Sequence, residues 1–125
     1  MKVSHKKINF QDRRGKIIDI FVNNPKDHAT LITCTKGAVR GNHFHKKSTQ
    51  YMFIVSGKFT AYTRQPGRSK VFKHKLLPND LIEHRPMEEH AIVADKAGAF
   101  LAFADGLRGG KNYDKDTFRV TKPLV

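Results

Sequence analysis

Two histidines one residue apart, His43 and His45, lie in the stretch that most restricts what this chain can become. On an extended strand, residues i and i+2 project from one face, so both imidazoles point the same way. Gln50 follows at the start of the apolar run Gln50-Tyr51-Met52-Phe53-Ile54-Val55. If the two runs lie side by side, the Gln50 carboxamide reaches the patch that the imidazoles face. A third imidazole, His90, follows the bend Pro86-Met87-Glu88-Glu89 and leads into Ala91-Ile92-Val93-Ala94. Three imidazoles and an amide oxygen converging inside a β-barrel make a site for a divalent transition metal such as Zn, Mn, Fe, Ni or Co. All four donors, His43, His45, Gln50 and His90, are neutral. The ion would keep its full charge and favour an anionic or oxygen-rich ligand.

The rest of the chain reads as strands. No window shows a 3.6-residue apolar period and no repeat recurs along the sequence. Short apolar runs at 29–35, 50–55, 59–64, 90–94 and 99–104 are separated by turn residues. Ser56-Gly57-Lys58 predicts a hairpin turn between two of these runs, and Asp95-Lys96-Ala97-Gly98 predicts a second break. Residues 1–12 supply an edge strand at best, and 16–22 form a β-branched run. The tail 106–125, polar and Gly-rich with Tyr113, Phe118 and Val120, is expected to lie across the barrel or over one of its mouths. The expectation is an all-β chain with one domain over residues 1–125. Its barrel core spans about 29–105, with N-terminal strands in 1–28 and the tail at 106–125.

A chain of 125 residues supports one hydrophobic core. Its longest apolar run, at 97–104, is far too short to span a bilayer, and the basic N-terminus lacks the apolar stretch of a signal peptide. The single cysteine, Cys34, excludes an internal disulfide and fits a reducing cytoplasm; within its β-rich run it reads as a core residue. The run 50–55 is apolar on both faces, more than one small barrel can cover, and predicts a homodimer. The net charge of +13 calls for an anionic partner. The Lys and Arg residues are scattered and no nucleic-acid module is present, so a small molecule is expected, with no specific nucleic acid and no membrane.

Gly37, five residues, His43-x-His45, four residues, Gln50, six residues and Gly57 together resemble the first motif of the cupin superfamily. Leu77-Pro78-Asn79-Asp80 followed by His90 is similar to the second. The family usually has Glu where this chain has Gln50, and Gly where it has Asn79-Asp80. The resemblance covers residues 30–103 and implies a double-stranded β-helix, the jelly-roll barrel of the cupin type. Gln50 cannot serve as a general base, unlike the Glu expected there.

Arg40-Gly41-Asn42-His43-Phe44-His45-Lys46, followed by Gln50, is also similar to a stretch of two sugar-nucleotide families. These are the dTDP-4-dehydrorhamnose 3,5-epimerases and the dTDP-4-keto-6-deoxyhexose 3,4-ketoisomerases. In those metal-independent enzymes the residue matching His43 is the general base and the one matching Arg40 binds the anionic substrate. His90 has no expected counterpart there, which argues for metal. The resemblances imply a metal-binding isomerase or epimerase acting on a sugar or sugar nucleotide, with an anionic sugar derivative as partner. A non-catalytic sugar-binding or regulatory cupin and a metal-dependent dioxygenase are the alternatives. His84, six residues before His90, is a candidate second acid–base group. Glu88-Glu89, beside His90, reads first as a solvated bend, with an acceptor for a ligand imidazole as the alternative.

Overall fold

The computed structural model describes residues 1–106 and 115–125. Its strands are β1 (Lys2–His5), β2 (Phe10–Asp12), β3 (Gly15–Ile17), β4 (His28–Cys34), β5 (Val39–Phe44), β6 (Thr49–Arg64), β7 (Val71–Leu76), β8 (Asp80–His84), β9 (Glu89–Asp105) and β10 (Phe118–Arg119).

β6 and β9 are the frame. They run antiparallel along their whole length, from Thr49 opposite Asp105 to Arg64 opposite Glu89. Each is one strand where turn chemistry predicts two. The hairpin at Ser56-Gly57-Lys58 and the break before Ala99 do not form; the ladder instead shifts register between Ile54 and Phe59 and carries on. The cause is the meeting of two glycines. A Cβ built on Gly98 would lie 2.1 Å from the Ser56 carbonyl oxygen, and one on Gly57 2.7 Å from that of Ala97. With no side chain between them the two backbones touch, and the ribbon bends over rather than reversing.

The bend gives each half of the ribbon to a different sheet. The first sheet runs β1, β8, the first half of β6, the second half of β9, then β4. The second runs β7, the second half of β6, the first half of β9, β5, then β10. β2 and β3 form a separate hairpin. Two antiparallel sheets sharing their two long strands make the expected jelly roll.

Between the sheets lies the core. Ile54, Phe59, Ala61, Leu76, Ile82 and Ala102 are 1% exposed or less. Phe59 from one sheet meets Phe100 from the other edge-on, with centroids 5.6 Å apart. Each buried large side chain contributes about 1.5–3 kcal/mol. The outer face of the first sheet is apolar too. Phe21 packs edge-on against Tyr51 and Phe103, and the Lys26 ammonium sits 4.0 Å over the Tyr51 ring while pairing with Asp105. Beyond that cover, Leu31, Leu101, Phe53 and Leu81 line up across four neighbouring strands, and Leu31 is 65% exposed.

Of the tail, residues 107–114, Tyr113 among them, lie outside the described residues. Phe118 is in β10, and the Val120 amide donates to the Asn42 carbonyl. The described end of the tail therefore crosses the edge of the second sheet beside the histidine strand. No helix among the described residues is long and apolar enough to cross a membrane.

Candidate functional site

The site begins with an extra residue in β5. Arg40 lies opposite Ile92, Gly41 opposite Ala91, and His43 opposite His90, so Asn42 is looped out as a bulge. Gly41 at φ 95° and Asn42 at φ 57° take the left-handed backbone this requires. A Cβ on Gly41 would also meet the His90 carbonyl at 2.8 Å. Directly opposed residues share a face, and His90 and Ile92 share one. Arg40 and His43 therefore face the same side, although three residues apart on a regular strand they would face opposite sides.

His43, His45 and His90 are all buried, and one ring nitrogen from each lies within 4.8 Å of the others. Gln50 reaches them from across the barrel, not from an adjacent strand as the side-by-side reading expects. β5 pairs with β9 and β10, whereas the Gln50 end of β6 pairs with β8 and the far half of β9. The Gln50 Oε1 position is 3.2 Å from His45 Nε2 and 3.0 Å from His90 Nε2.

The other nitrogen of each ring is held by backbone. His45 Nδ1 donates to the Asp116 carbonyl at 2.8 Å, and His90 Nδ1 to the Glu88 carbonyl at 3.0 Å. A carbonyl only accepts, so both Nδ1 atoms carry the proton and both Nε2 atoms face Gln50 as lone pairs when the rings are neutral. His90 is neutral: burial, reinforced by the neighbouring imidazoles of His84 and His43, holds its pKa well below the ordinary histidine value.

His84 is fully buried, and its ring stacks on that of His90 at 4.2 Å. Burial lowers its pKa as well, against the opposing effect of its hydrogen bond to Glu88. The neutral ring donates Nδ1–H to the Glu88 carboxylate at 2.8 Å. Glu88 is no solvated bend. Only 4% exposed, it holds both stacked rings, His84 by carboxylate and His90 by carbonyl. Burial pushes the Glu88 carboxyl up, but hydrogen bonds from His84 and the Met1 ammonium outweigh it and leave the pKa below its usual value. Glu89 turns the other way and pairs with Arg64.

Asp116 was not legible in the sequence. Its carboxylate accepts from the backbone amides of Lys46, Lys47 and Ser48 and from the Ser48 hydroxyl, fixing the loop after His45 while its carbonyl fixes the ring. Burial raises this carboxyl, and the Ser48 hydroxyl and the three amides more than offset it.

Of these groups, His43, Gln50 and His90 line a cavity of about 500 Å³. His43, Gln50 and His90 are its polar end, Met52, Ile92 and Phe100 its apolar wall, and Arg40 and Arg119 also line it. His84 does not line it; it stands behind His90. Such a cavity suits a small ligand that is partly polar and partly apolar.

No curated protein sequence matches the chain. Among solved structures, a 3,4-ketoisomerase from Helicobacter canadensis superposes with a TM-score of 0.80 at 18% identity, covering 95% of this chain and 90% of that one. QdtA, a sugar 3,4-ketoisomerase from Thermoanaerobacterium thermosaccharolyticum in complex with TDP, gives 0.77 at 19%, covering 95% and 88%. The dTDP-4-dehydrorhamnose 3,5-epimerase from Sulfolobus tokodaii gives 0.77 at 17%, covering 92% and 73%. At these identities the likeness establishes the shared jelly roll. The family model for the polysaccharide biosynthesis C-terminal domain matches residues 10–103, a span that holds β6, all but the last two residues of β9, the β5 bulge and all three clustered histidines, and the chain belongs to that family.

Proposed function

We propose that this chain is an isomerase or epimerase acting on a keto sugar carried by a nucleotide, with His43 as the base. The observation that carries the reading is the β5 bulge, which turns His43 and Arg40 into one cavity. The superposed solved structures are sugar 3,4-ketoisomerases and a dTDP-sugar 3,5-epimerase, and they support the substrate class. His43 takes the proton from the carbon beside the ketone, and the electron pair moves onto the carbonyl oxygen as an enolate. Protonation of that carbon from the opposite face by cavity water, with the His43 proton passing to the hydroxide left behind, gives the epimer. Delivery of a proton from His43, once exchanged with solvent, to the former carbonyl carbon gives the shifted ketone, with one O–H proton taken from cavity water and the other released to it. His84, behind His90 and outside the cavity wall, acts as a positioning residue. The test is incubation of a dTDP-4-keto-6-deoxyhexose with the protein in D2O, followed by NMR. Deuterium should enter at a carbon next to the ketone. Binding without exchange would instead make this a non-catalytic sugar-binding cupin.

As a second reading of the same cluster, we propose that His43, His45, Gln50 and His90 hold a divalent transition metal, in which case the His43 lone pair is on the ion and His43 is not the base. The donor set fits. Two lone pairs and an amide oxygen otherwise face one another at 3.0–3.2 Å, three acceptors with no donor among them. Bound there, an ion would supply Lewis-acid polarisation of the sugar ketone. Without an ion, the Gln50 amide must turn its NH2 toward the two rings. Gln50→Glu distinguishes the cases by sign. A carboxylate binds a hard divalent ion more strongly than an amide oxygen, so affinity should rise about tenfold or more and added metal should raise the melting temperature. In a metal-free site the variant loses both donors and sets a charge against two lone pairs, costing about 1–3 kcal/mol. Metal titration followed by melting curves reads the difference. A variant that melts lower and ignores Zn, Mn, Fe, Ni and Co removes the metal from the proposal.

A homodimer is also proposed, formed on the outside of the first sheet around the exposed Leu31 and the half-buried Leu101. Light scattering after size exclusion should give twice the chain mass, reduced to one chain mass by Leu31→Lys. A monomeric wild type at tens of micromolar would rule it out.

A further inference from the structure

We infer that Arg119, together with Arg40, forms an anion subsite in the cavity and takes a phosphate group of the ligand. For the identity of that ligand the inference rests on the sugar-nucleotide reading above. β10 adds to the free edge of β5, and Arg119 falls directly opposite His43 in the ladder. Opposed residues share a face, so the guanidinium is delivered to the side that His43 and Arg40 occupy, and it lines the same cavity.

Each guanidinium is anchored at one part only. Arg119 Nη1 donates to the Gly41 carbonyl at 2.8 Å. Arg40 Nη2 donates to the Thr33 carbonyl at 3.0 Å, and its Nε contacts Cys34 Sγ at 3.3 Å. Among the described residues, Nε and Nη2 of Arg119 and Nη1 of Arg40 have no partner, and neither side chain has a carboxylate in salt-bridge range. Among the described residues, no Asp or Glu lines the cavity. Two cationic forks held at the wall of a cavity with no compensating anion suit a phosphate or diphosphate, which accepts charge-assisted hydrogen bonds from both. The anchoring carbonyl belongs to Gly41, in the same bulge that aims His43. The anion and the reacting sugar are thereby held from one short piece of backbone.

The bland alternative is that Arg119 merely pins the C-terminal strand. The test is calorimetric titration of the full chain and of Arg119→Gln and Arg119→Lys with two probes, dTDP and inorganic diphosphate, together with melting curves. Arg119→Gln should weaken both probes at least tenfold while melting within a few degrees of wild type, and Arg119→Lys should retain most of the binding. A role in pinning alone gives the opposite pattern: lower melting of Arg119→Gln with unchanged affinity. That result overturns the inference, as does failure of wild type to bind either probe. Binding of diphosphate but not dTDP by wild type, lost in Arg119→Gln, keeps the subsite and removes the sugar-nucleotide reading instead.

Discussion

Replacing His43 by Asn should slow deuterium exchange into a dTDP-4-keto sugar by about 10²–10⁴-fold, the usual contribution of a positioned base. The loss should appear in kcat. On the proposed mechanism His43 meets the reacting carbon, whereas Arg40, on the same face of β5 and lining the same cavity, binds rather than reacts. Arg40→Ala should accordingly raise KM with a smaller change in kcat. The bulge predicts a third behaviour. Gly41→Ala keeps both functional side chains but sets a Cβ 2.8 Å from the His90 carbonyl, at a backbone angle alanine rarely adopts. Restoring a regular strand there would turn Arg40 and His43 to opposite faces, so both kinetic constants should suffer together. NMR exchange rates measured at several substrate concentrations separate the three. Exchange within threefold of wild type for His43→Asn would remove it as the base and leave the cavity as a binding pocket.

What could be read in the sequence was local. The pair His43 and His45, the reach of Gln50 toward them and the return of His90 to the same place follow from spacing and from the motif they resemble. Gln50 nevertheless arrives by a different route. Whether two strands pair side by side or face each other across a core depends on contacts distant in sequence, and no local pattern encodes that. The shared face of Arg40 and His43 was hidden for a subtler reason. Counting residues at period two puts them apart, and only the looped-out Asn42 corrects the count. Gly41-Asn42, a pair tolerant of left-handed backbone, was the available signal. Asp116 carried none, and Glu88 only its place beside His90, which allowed an acceptor for an imidazole as the alternative to a solvated bend. Both are acidic residues outside the regular apolar pattern, and their burial becomes visible only once the imidazoles and loop amides they satisfy are in place. The turn at Gly57 was misread because its meaning depends on Gly98, about forty residues later, lying against it.

That contact yields the largest expected effect on folding. Gly98→Ala places a methyl 2.1 Å from the Ser56 carbonyl oxygen and 2.7 Å from Gly57 Cα, both of them backbone. No rotamer change can relieve it. To fit, β6 and β9 must separate at the bend, and the pairing on either side goes with them. Overpacking a core costs about 1–3 kcal/mol when side chains can yield, so a clash with backbone in both directions should exceed that range. A domain of this size holds roughly 6–19 kcal/mol in all. Gly98→Ala should therefore melt at least about ten degrees below wild type, and Gly98→Val should not accumulate as folded protein. Gly67→Ala is the control. It has an unfavourable backbone angle, φ 69°, which Gly98 lacks, and nothing within 4 Å of its Cβ, so only local strain of about 1 kcal/mol is expected. Backbone strain alone would make Gly67→Ala the lower-melting of the two. Only the crossing of two backbones makes Gly98 the worse by far. A Gly98→Ala protein melting within three degrees of Gly67→Ala would mean that β6 and β9 do not bend against each other here. The division of the ribbon between two sheets, which brings Gln50 to the histidines, would then be wrong as well.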